Sequence, residues 1–351
     1  MRYRLLGRKS GLRVSELALG VALFGTGWGY GSEHAEARQV FDRYLEAGGN
    51  FFDTADGYQF GQSESMLGEL IAPIRDDIVV ATKYSGGAAK EPTLAKTGNS
   101  RKNLVYSVEQ SLQRLKTDRV DLLWVHHSDN VTPTEEILRG LDDLVRAGKI
   151  LYAGFSNFPA WRVARADLLA ELRGWSPLAG VQFEYSLIER SADRELLPMA
   201  EALGLAAAVW SPLGGGLLTG KYRNGEQGRL QGMGRVIRTE KTGRDAAVVD
   251  AVIDAGAQLG RSPAEVALAW LGSKARTSTT SIIPIIGPRT VEQLDNNLLA
   301  LDLTLPQDLV DRLDQVSQIA PGVPFEVNAE TLPRMLGGRP HLVDLPAFKV
   351  A

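Results

Sequence analysis

The feature that most restricts the fold of this chain is a strict alternation of short apolar runs with amphipathic stretches. The eight runs, each interpreted as a strand, lie at residues 17–21, 50–54, 78–83, 120–126, 150–156, 179–184, 205–211 and 281–286. Alternation of strands and helices indicates parallel strands joined by crossover helices. Eight such units close a (β/α)8 TIM barrel. An open doubly wound sheet is the alternative, and the lack of a Gly-x-Gly-x-x-Gly turn after the first run disfavours it.

The stretches between the runs have apolar residues at helical spacing. Predicted helices lie at residues 34–47, 63–71, 134–146, 159–173, 193–203, 245–259, 262–275, 290–299 and 306–318, and a further helix starts near residue 100. Residues 1–16 have the pattern of a β-hairpin that could plug one end of the fold. The loop at 213–244 is predicted to be extended, and an irregular tail is expected after 318. One barrel domain is predicted for residues 1–351.

Composition removes several classes of function. The chain of 351 residues has a net charge of −3, so no general attraction to nucleic acid or an anionic membrane is expected. It contains no cysteine, which excludes disulfides, thiolate catalysis and Cys-ligated zinc. No secretory signal is visible at the start, and no apolar run has the length of a membrane span. A cytoplasmic protein is therefore expected, and its oligomeric state cannot be read from the sequence.

Polar side chains end three neighbouring predicted strands, and the active site of such a barrel lies at these carboxyl ends. Asp53 ends the second strand and Tyr58 follows five residues later, while Lys83 ends the third strand and His126 the fourth. A free phenol, with a pKa of about 10, is too weak an acid for neutral pH without help. A nearby ammonium favours the phenolate, and a carboxylate holds that ammonium in place. The set suits carbonyl reduction if another group supplies hydride.

Each of these residues also has a structural interpretation. Asp53 could be a turn former, Tyr58 a rim aromatic, Lys83 a solvated strand end and His126 a core histidine. His127 must point away from His126 if the strand continues, so only one of them is expected to face the mouth. Four matching residue types at one end of adjacent strands favour the functional interpretation.

A hydride-donating cofactor would need a phosphate site. The turn at 287–289 precedes a predicted helix, and backbone N–H groups at a helix start bind phosphate. Arg289 adds a cation there. Glycines at 211–222 would let the backbone approach a pyrophosphate, and Trp210 could stack on a flat ring.

The sequence at this point resembles the aldo-keto reductase family over nearly its whole length. The matching motifs, in order along the chain, are YRLLGRKSGLRVSELALG, FFDTADGYQFGQSESMLG, VVATK, SVEQSLQRLKTDRVDLLWVHHSD, GKILYAGFSN, VQFEYSLIER, WSPLGGGLLTGKY and IPIIGPRTVEQLDNN. The SPLGGG-type loop resembles the bacterial and potassium-channel β-subunit branch of the family. Long motifs in a fixed order are a far more specific signal than one short pattern.

The resemblance implies a catalytic tetrad of Asp53, Tyr58, Lys83 and His126, with Tyr58 as general acid in reduction. It also implies an NADP(H) site, possibly for NAD(H), without a Rossmann fold. The implied cofactor-binding residues are Ser156, Asn157, Gln182, Trp210, Ser211, Pro212, Leu213, Gly214, Gly216, Lys221, Gly287, Arg289, Gln293 and Asn297. Candidate pocket residues lie in loops, where specificity varies most. They are Phe24, Trp28, Tyr30, Tyr84, His127 and the tail from Pro324 and Phe325.

The chain departs from many mammalian-type members at two positions. Those members carry Lys where this chain has Gly287 and Arg where it has Gln293, and both residues grip the 2′-phosphate of NADP there. Arg289 is the remaining nearby cation, and basic residues of the 213–244 loop could fold over the phosphates. These basic residues are Lys221, Arg223, Arg229, Arg235, Arg238 and Lys241.

The function expected from these observations is NADP-dependent reduction of aldehydes or ketones, such as aryl aldehydes or sugar-like carbonyls. One alternative is an NAD-dependent dehydrogenase that oxidises a sugar or a pyridoxal-type alcohol. Another is an NADP-binding, redox-sensing regulatory subunit with slow turnover, as in channel β-subunits. The expected partner is a small carbonyl compound, with no nucleic acid, membrane or metal.

Overall fold

Eight parallel strands close into a barrel in the computed structural model, which describes residues 1–224 and 243–344. The barrel strands are β3 (Ala18–Gly20), β4 (Phe51–Asp53), β5 (Val79–Tyr84), β6 (Val120–Val125), β7 (Ile150–Ser156), β8 (Leu178–Glu184), β9 (Ala206–Trp210) and β10 (Ile282–Ile286). Neighbours in sequence are neighbours in the barrel, and β10 pairs with both β9 and β3. The predicted (β/α)8 barrel is confirmed. The strands begin and end within a few residues of their predicted limits.

An antiparallel hairpin precedes the barrel, as predicted, and is formed by β1 (Tyr3–Leu5) and β2 (Arg13–Ser15). Leu6 and Val14 are fully buried and join the cluster of apolar side chains that fills the barrel interior. That cluster also contains Phe51 and Val79, which lie at the amino ends of their strands. The hairpin therefore plugs the amino-terminal end of the barrel and leaves the carboxyl end for a site.

Trp124 is the largest side chain in the barrel interior, and two glycines make room for it. A Cβ atom on Gly154 would lie 2.3 Å from Cζ3 of the indole. A Cβ on Gly180, one strand further round, would lie 3.4 Å from Cη2. Because β7 and β8 carry glycines beside the indole, the ring can extend across the barrel axis. Its Nε1 then reaches the carboxyl end of β4.

The helices lie outside the barrel. They are α1 (His34–Glu46), α2 (Gln62–Ile71), α3 (Arg101–Leu115), α4 (Thr134–Arg146), α5 (Ala160–Arg173), α6 (Leu196–Leu203), α7 (Gly243–Leu259), α8 (Pro263–Thr277), α9 (Val291–Leu298), α10 (Gln307–Ser317) and α11 (Phe325–Met335). The predicted start of α8 is confirmed. Ser262 accepts from the backbone N–H of Glu265, and the Glu265 side chain accepts from the Ser262 N–H, which forms a capping box. None of the helices described is long and apolar enough to cross a membrane.

The expectation of an irregular tail was wrong, because residues 325–335 form a helix. The segment FEVNAETLPRM contains good helix formers, but none of its residues is buried, so it carries no core-facing pattern in the sequence. Pro333 inside the segment also argues against a helix at the level of sequence. The predicted basic residues Arg229, Arg235, Arg238 and Lys241 lie outside the described residues.

Candidate active site

A buried ion pair lies at the carboxyl end of the barrel. Lys83 at the end of β5 donates to Oδ1 of Asp53 on β4, and also donates to the backbone oxygen of Thr54 at 2.7 Å. The second oxygen of Asp53 accepts from Nε1 of Trp124 at 3.1 Å and from Nε2 of Gln182 at 2.9 Å. Three donors from three strands therefore fix this carboxylate, and the carboxylate in turn fixes the ammonium group.

Lys83 remains charged although its side chain is fully buried. Burial acts to lower the pKa of Lys83, but the charge of Asp53 and the hydrogen bonds of Asp53 and Tyr58 outweigh it, so the pKa is raised. Nζ of Lys83 lies 4.7 Å from the centre of the Tyr58 ring. The phenol thus has a fixed positive charge next to it.

The loop that carries Tyr58 has a strained backbone. The two residues after the tyrosine, Gln59 and Phe60, are left-handed with φ of 52° and 55°, and Gly61 follows with φ of 89°. Non-glycine residues rarely adopt this conformation, and it clusters at functional sites. Before the tyrosine, the Asp56 N–H donates to the backbone oxygen of Lys83 at 3.0 Å. The phenol is therefore held from both sides of the loop.

Two glutamines tie this loop to the entrance loop, residues 22–31. Oε1 of Gln59 accepts from the Trp28 N–H at 2.8 Å, and Nε2 of Gln59 donates to the backbone oxygens of Ala22 and Tyr30. Gln62 accepts from two further backbone N–H groups of the entrance loop. As a result, the Trp28 ring lies edge-on to Tyr58 with 5.9 Å between ring centres.

His126 lies on the other side of the phenol. Its ring centre is 5.8 Å from that of Tyr58, and the rings are nearly perpendicular at 83°. Its backbone N–H donates to the oxygen of Tyr84 at 3.0 Å, which continues the β5–β6 pairing by one residue. Burial, and then the charge of Lys83, lower the pKa of His126 well below its usual value. The imidazole is therefore neutral at physiological pH and can donate one N–H to a carbonyl oxygen.

The expectation that only one of the two histidines faces the mouth was wrong. Strand β6 ends at Val125, so the alternation of side chains does not extend to His127. The rings of His126 and His127 are stacked, with 4.2 Å between centres and 17° between planes. Both imidazoles therefore lie at the same end of the barrel, and His127 is the more exposed of the two.

Asn157 connects the histidines to the far side of the mouth. Its backbone is left-handed, with φ of 56°. Nδ2 donates to the backbone oxygen of His126 at 3.0 Å and to Oγ of Ser156 at 3.1 Å, and it lies 3.3 Å from Nδ1 of His127. Oδ1 accepts from Nε1 of Trp210 at 3.2 Å. The ends of β6, β7 and β9 are thus joined through one amide.

The segment after Trp210 has a backbone that suits close approach of a ligand. Ser211 is left-handed with φ of 51°, and Gly214, Gly215 and Gly216 follow with φ of 59°, 69° and 95°. Three successive left-handed residues need glycine, because a Cβ atom would strain the backbone at each of them. The sequence GGG at this place is therefore explained by the turn that it forms.

The turn after β10 places a cation beside the start of helix α9. Thr290 caps helix α9 by accepting from the N–H of Gln293, and Oε1 of Gln293 accepts from the Arg289 N–H at 2.9 Å. The Arg289 guanidinium lies 5.0 Å from the centre of the Tyr30 ring. Gly287 is exposed at the start of the turn. A half-exposed cation beside a helix amino terminus suits a phosphate group.

Three of the predicted site residues do not line the open mouth. Tyr84 follows Lys83 on β5, and because side chains alternate along a strand it points out of the barrel, where it is fully buried beneath the helices. Phe24 is buried in the same outer layer. Gln182 is buried and bonded to Asp53, so it supports the ion pair from below.

Two residues that contribute to the site were missed from the sequence. Trp124 reads as an ordinary core residue, and only its indole bond to Asp53 reveals its role. Asp56 is 1% exposed and lies two residues before Tyr58. Burial, and then the charge of Glu64, raise the pKa of Asp56 to about 7. The motif DTADGY shows the acidic residue but not its surroundings, because Gly87 and Arg114, which lie close to it, come from other parts of the chain.

A charged lysine, a tyrosine and a neutral histidine thus lie together at the carboxyl end of a closed (β/α)8 barrel, which is the end where the active sites of such barrels lie. The Aldo/keto reductase family model matches residues 16–318, and the chain belongs to this family of oxidoreductases. Aldo-keto reductases act on small carbonyl compounds and generally use NAD(P)H.

Three relatives cover most of the chain. Norsolorinic acid reductase of Aspergillus flavus is 36% identical over 338 residues, covering 94% of this chain and 84% of its own length. The Saccharomyces cerevisiae protein AAD14, provisionally named an aryl-alcohol dehydrogenase, is 35% identical over 344 residues, covering 93% and 88%. The uncharacterized oxidoreductase YrpG of Bacillus subtilis is 36% identical over 325 residues, covering 90% and 96%.

Proposed function

We propose that this protein reduces aldehydes and ketones to alcohols with NADPH, and that Tyr58 is the proton donor. The observation that carries the proposal is the position of the charged Lys83 ammonium, 4.7 Å from the centre of the Tyr58 ring. An ammonium beside a phenol stabilises the phenolate, which is the form of the side chain that remains after it gives up its proton. Family membership supports the hydride transfer that completes the reaction.

The proton chemistry follows from the charges around the phenol. When Tyr58 gives its proton to the carbonyl oxygen, the phenolate that forms lies beside the Lys83 ammonium and is stabilised by it. Asp53 keeps Lys83 charged and in place throughout. The neutral His126 can donate an N–H to the same carbonyl oxygen, which orients it toward the phenol. In the reverse direction, the phenolate takes the proton of the alcohol.

The residues around the mouth fit a nicotinamide dinucleotide, which when bound supplies hydride to the carbonyl carbon. Ser156 and Asn157 would hold the carboxamide, and Trp210 would lie against the ring. The left-handed glycine turn, residues 214–216, would accept the pyrophosphate, because it brings backbone close to the ligand without side chains. Gly287, Arg289, Gln293 and Asn297 would surround the adenosine end. Gln182 would contribute by holding the Asp53 carboxylate in place.

We assign the cofactor as NADP(H) in preference to NAD(H) because of Arg289. Its guanidinium is the cation at the amino end of α9, and stacking on Tyr30 keeps it on one side of the turn. A guanidinium that is already ordered loses little freedom when it pairs with a phosphate. The 2′-phosphate is the group that distinguishes the two cofactors.

The substrate class that the pocket supports best is an aryl carbonyl compound. Trp28 and His127 are partly exposed aromatic rings on two sides of the Tyr58–His126 pair, so they can cover a flat ring. One relative carries a name that refers to aromatic compounds, the provisionally named aryl-alcohol dehydrogenase AAD14. Tyr84 and Phe24 are left out of this pocket because they are buried in the outer layer.

The experiment that tests the proposal is the Tyr58→Phe variant. General acid catalysis contributes about 10²–10⁴-fold, so kcat with an aryl aldehyde and NADPH should fall by at least this amount. The dissociation constant for NADPH, from fluorescence titration, should stay within a factor of about two, because the phenyl ring keeps its place. Tyr106→Phe removes a hydroxyl from an exposed tyrosine on α3 and serves as the matched control. Normal turnover of Tyr58→Phe would refute the assignment.

The cofactor assignment has a separate test. NADPH should bind more tightly than NADH, and Arg289→Ala should weaken NADPH binding by about tenfold or more while NADH binding changes little, since a charge-assisted hydrogen bond is worth about 1.5–3 kcal/mol. Equal affinities for the two cofactors in the wild type would favour the alternative of an NAD-dependent dehydrogenase.

A further inference from the structure

The entrance loop, residues 22–31, carries two aromatic side chains with different neighbours. Trp28 lies edge-on to Tyr58, with 5.9 Å between ring centres. Tyr30, two residues later, lies beside the turn after β10, where the central carbon of the Arg289 guanidinium is 5.0 Å from the centre of the tyrosine ring. Both aromatic residues are candidates for the substrate pocket in the sequence, but the structure brings only Trp28 next to Tyr58.

The backbone around Tyr30 is fixed on both sides. Nε2 of Gln59, which is fully buried, donates to the backbone oxygen of Tyr30 at 3.0 Å. On the other side, the backbone oxygen of Ser32 accepts from the N–H of Gly25 at 3.0 Å. A Cβ atom on Gly31 would lie 1.8 Å from the oxygen of Gly25, so the loop closes tightly on itself at this point. Tyr30 therefore has a defined place in the loop.

The backbone of Arg289 is tied to the same loop. Oγ of Ser32, a residue that is 1% exposed, donates to the Arg289 backbone oxygen at 3.0 Å. Oε1 of Gln293 accepts from the Arg289 N–H at 2.9 Å, so the turn is held through both backbone groups of this residue. The Tyr30 ring and the Arg289 side chain thus start from two backbone segments that are bonded to each other.

The contact with the ring leaves the N–H groups of Arg289 available to a ligand. An aromatic face attracts a cation through the charge distribution of its π electrons, so the contact does not require a hydrogen-bond acceptor. Among the residues that the structure describes, no oxygen atom accepts from the Arg289 guanidinium. The five N–H donors of a guanidinium lie in a fixed plane that suits the oxygens of a phosphate. Tyr30 can therefore hold the cation without competing with a phosphate.

We infer that Tyr30 is a positioning residue that strengthens the preference for NADP(H) over NAD(H) by holding Arg289 in place for the 2′-phosphate. This inference rests on the proposed cofactor assignment and adds a residue that need not touch the cofactor. Its effect is one of preorganisation, since a guanidinium that is already held loses less side-chain freedom when the phosphate binds. The freedom of one long side chain corresponds to about a twofold to tenfold change in affinity.

The test measures the dissociation constants of NADPH and NADH by fluorescence titration of Tyr30→Leu. NADPH should bind about twofold to tenfold more weakly than to the wild type, whereas the affinity for NADH, which lacks the 2′-phosphate, should stay the same. Tyr30→Phe keeps the aromatic face and should keep both wild-type affinities. Tyr106→Leu is the matched control, because Tyr106 on α3 also has a cation, Lys96, at 5.0 Å from its ring centre, and it should change neither affinity.

A double-mutant cycle separates this role from a general effect on the loop. When Arg289 is already replaced by alanine, Tyr30→Leu should weaken NADPH binding no further, because the side chain that Tyr30 positions is gone. The same loss of NADPH affinity with and without Arg289 would overturn the inference. An equal loss of NADPH and NADH affinity in Tyr30→Leu would also overturn it, since the ring would then support the loop and not the cation.

Failure of the proposed function can be told apart from failure of this inference. A lack of turnover with every carbonyl compound would refute the proposed reaction and would leave the titrations unchanged. Equal affinities of the wild type for NADPH and NADH would refute the cofactor assignment, and the inference with it. A preference for NADPH that persists undiminished in Tyr30→Leu would overturn the inference alone.

Discussion

Asp56 provides a prediction that links one buried carboxyl group to the stability of the fold. The residue faces a cavity of about 80 Å³ between the Tyr58 loop, the loop after β5 and helix α3. Oδ2 accepts from the Gly87 N–H at 3.1 Å, whereas Oδ1 is buried and has no hydrogen-bond partner among the described residues. Burial, the nearby charge of Glu64 and this missing hydrogen bond all disfavour the carboxylate. The pKa is therefore raised from 3.8 to about 7, with Arg114 offsetting only part of the effect.

The sign of the pH dependence follows from the direction of this shift. Between the two pKa values the unfolded chain has lost the proton of Asp56 and the native protein has kept it. Each pH unit in that range then lowers the free energy of unfolding by about 1.4 kcal/mol. From pH 5.5 to a pKa of about 7 the loss is about 2 kcal/mol, and above pH 7 the contribution stays constant.

Asp56→Asn removes this titration and should therefore stabilise the protein more at pH 8.5 than at pH 5.5, by about 2 kcal/mol. The amide leaves its NH2 group without an acceptor at the position of Oδ1, but that cost is the same at both pH values and cancels in the difference. Urea unfolding at the two pH values measures it. Asp308→Asn, at an exposed position in α10, is the matched control and should show no such difference. Equal effects of Asp56→Asn at both pH values would show that the carboxyl group is ionised in the native state and would refute the reasoning.

Two further predictions follow from contacts in the barrel. Asp53→Asn leaves the Lys83 ammonium without its buried counter-ion. The free energy of unfolding, measured with urea, should fall by about 3–5 kcal/mol. An unchanged free energy of unfolding would mean that Lys83 is neutral in the native state. Ser262→Ala breaks the capping box of α8 and should cost about 1 kcal/mol, seen as a lower midpoint of thermal unfolding.

The strand–helix alternation predicted the barrel because the period of apolar residues reports which face of each element is buried. The spacing of apolar residues could not show at which residue strand β6 ends. The composition of VHHSD predicts that the strand continues. In the fold, strand β6 ends at Val125, and the backbone N–H of His126 donates one further hydrogen bond to β5. The two rings stack because the strand ends before His127, and no local sequence pattern predicts this end.

Residues with a role in the site could be predicted when a motif contains them and not when the role depends on a distant partner. Asp53 and Lys83 were predicted as a pair from their strand ends, and the structure brings them together. Trp124 and Gln182 reach Asp53 from β6 and β8, and nothing near either residue in the sequence indicates that contact. Tyr84 shows the converse case, because a residue next to Lys83 in sequence faces the opposite side of the strand.

The two glutamines that follow Tyr58 have a consequence for how this enzyme can change. Gln59 and Gln62 hold the entrance loop by its backbone, so their grip does not depend on which side chains that loop carries. Side chains of the loop that make no contact of their own can therefore vary without loss of this grip, whereas we expect a change in the path of the loop to displace Tyr58. We therefore expect selectivity and reaction rate to be linked. Inserting or deleting one residue at 22–31 should alter kcat as well as KM, whereas substitutions of exposed residues that preserve the backbone should alter KM alone.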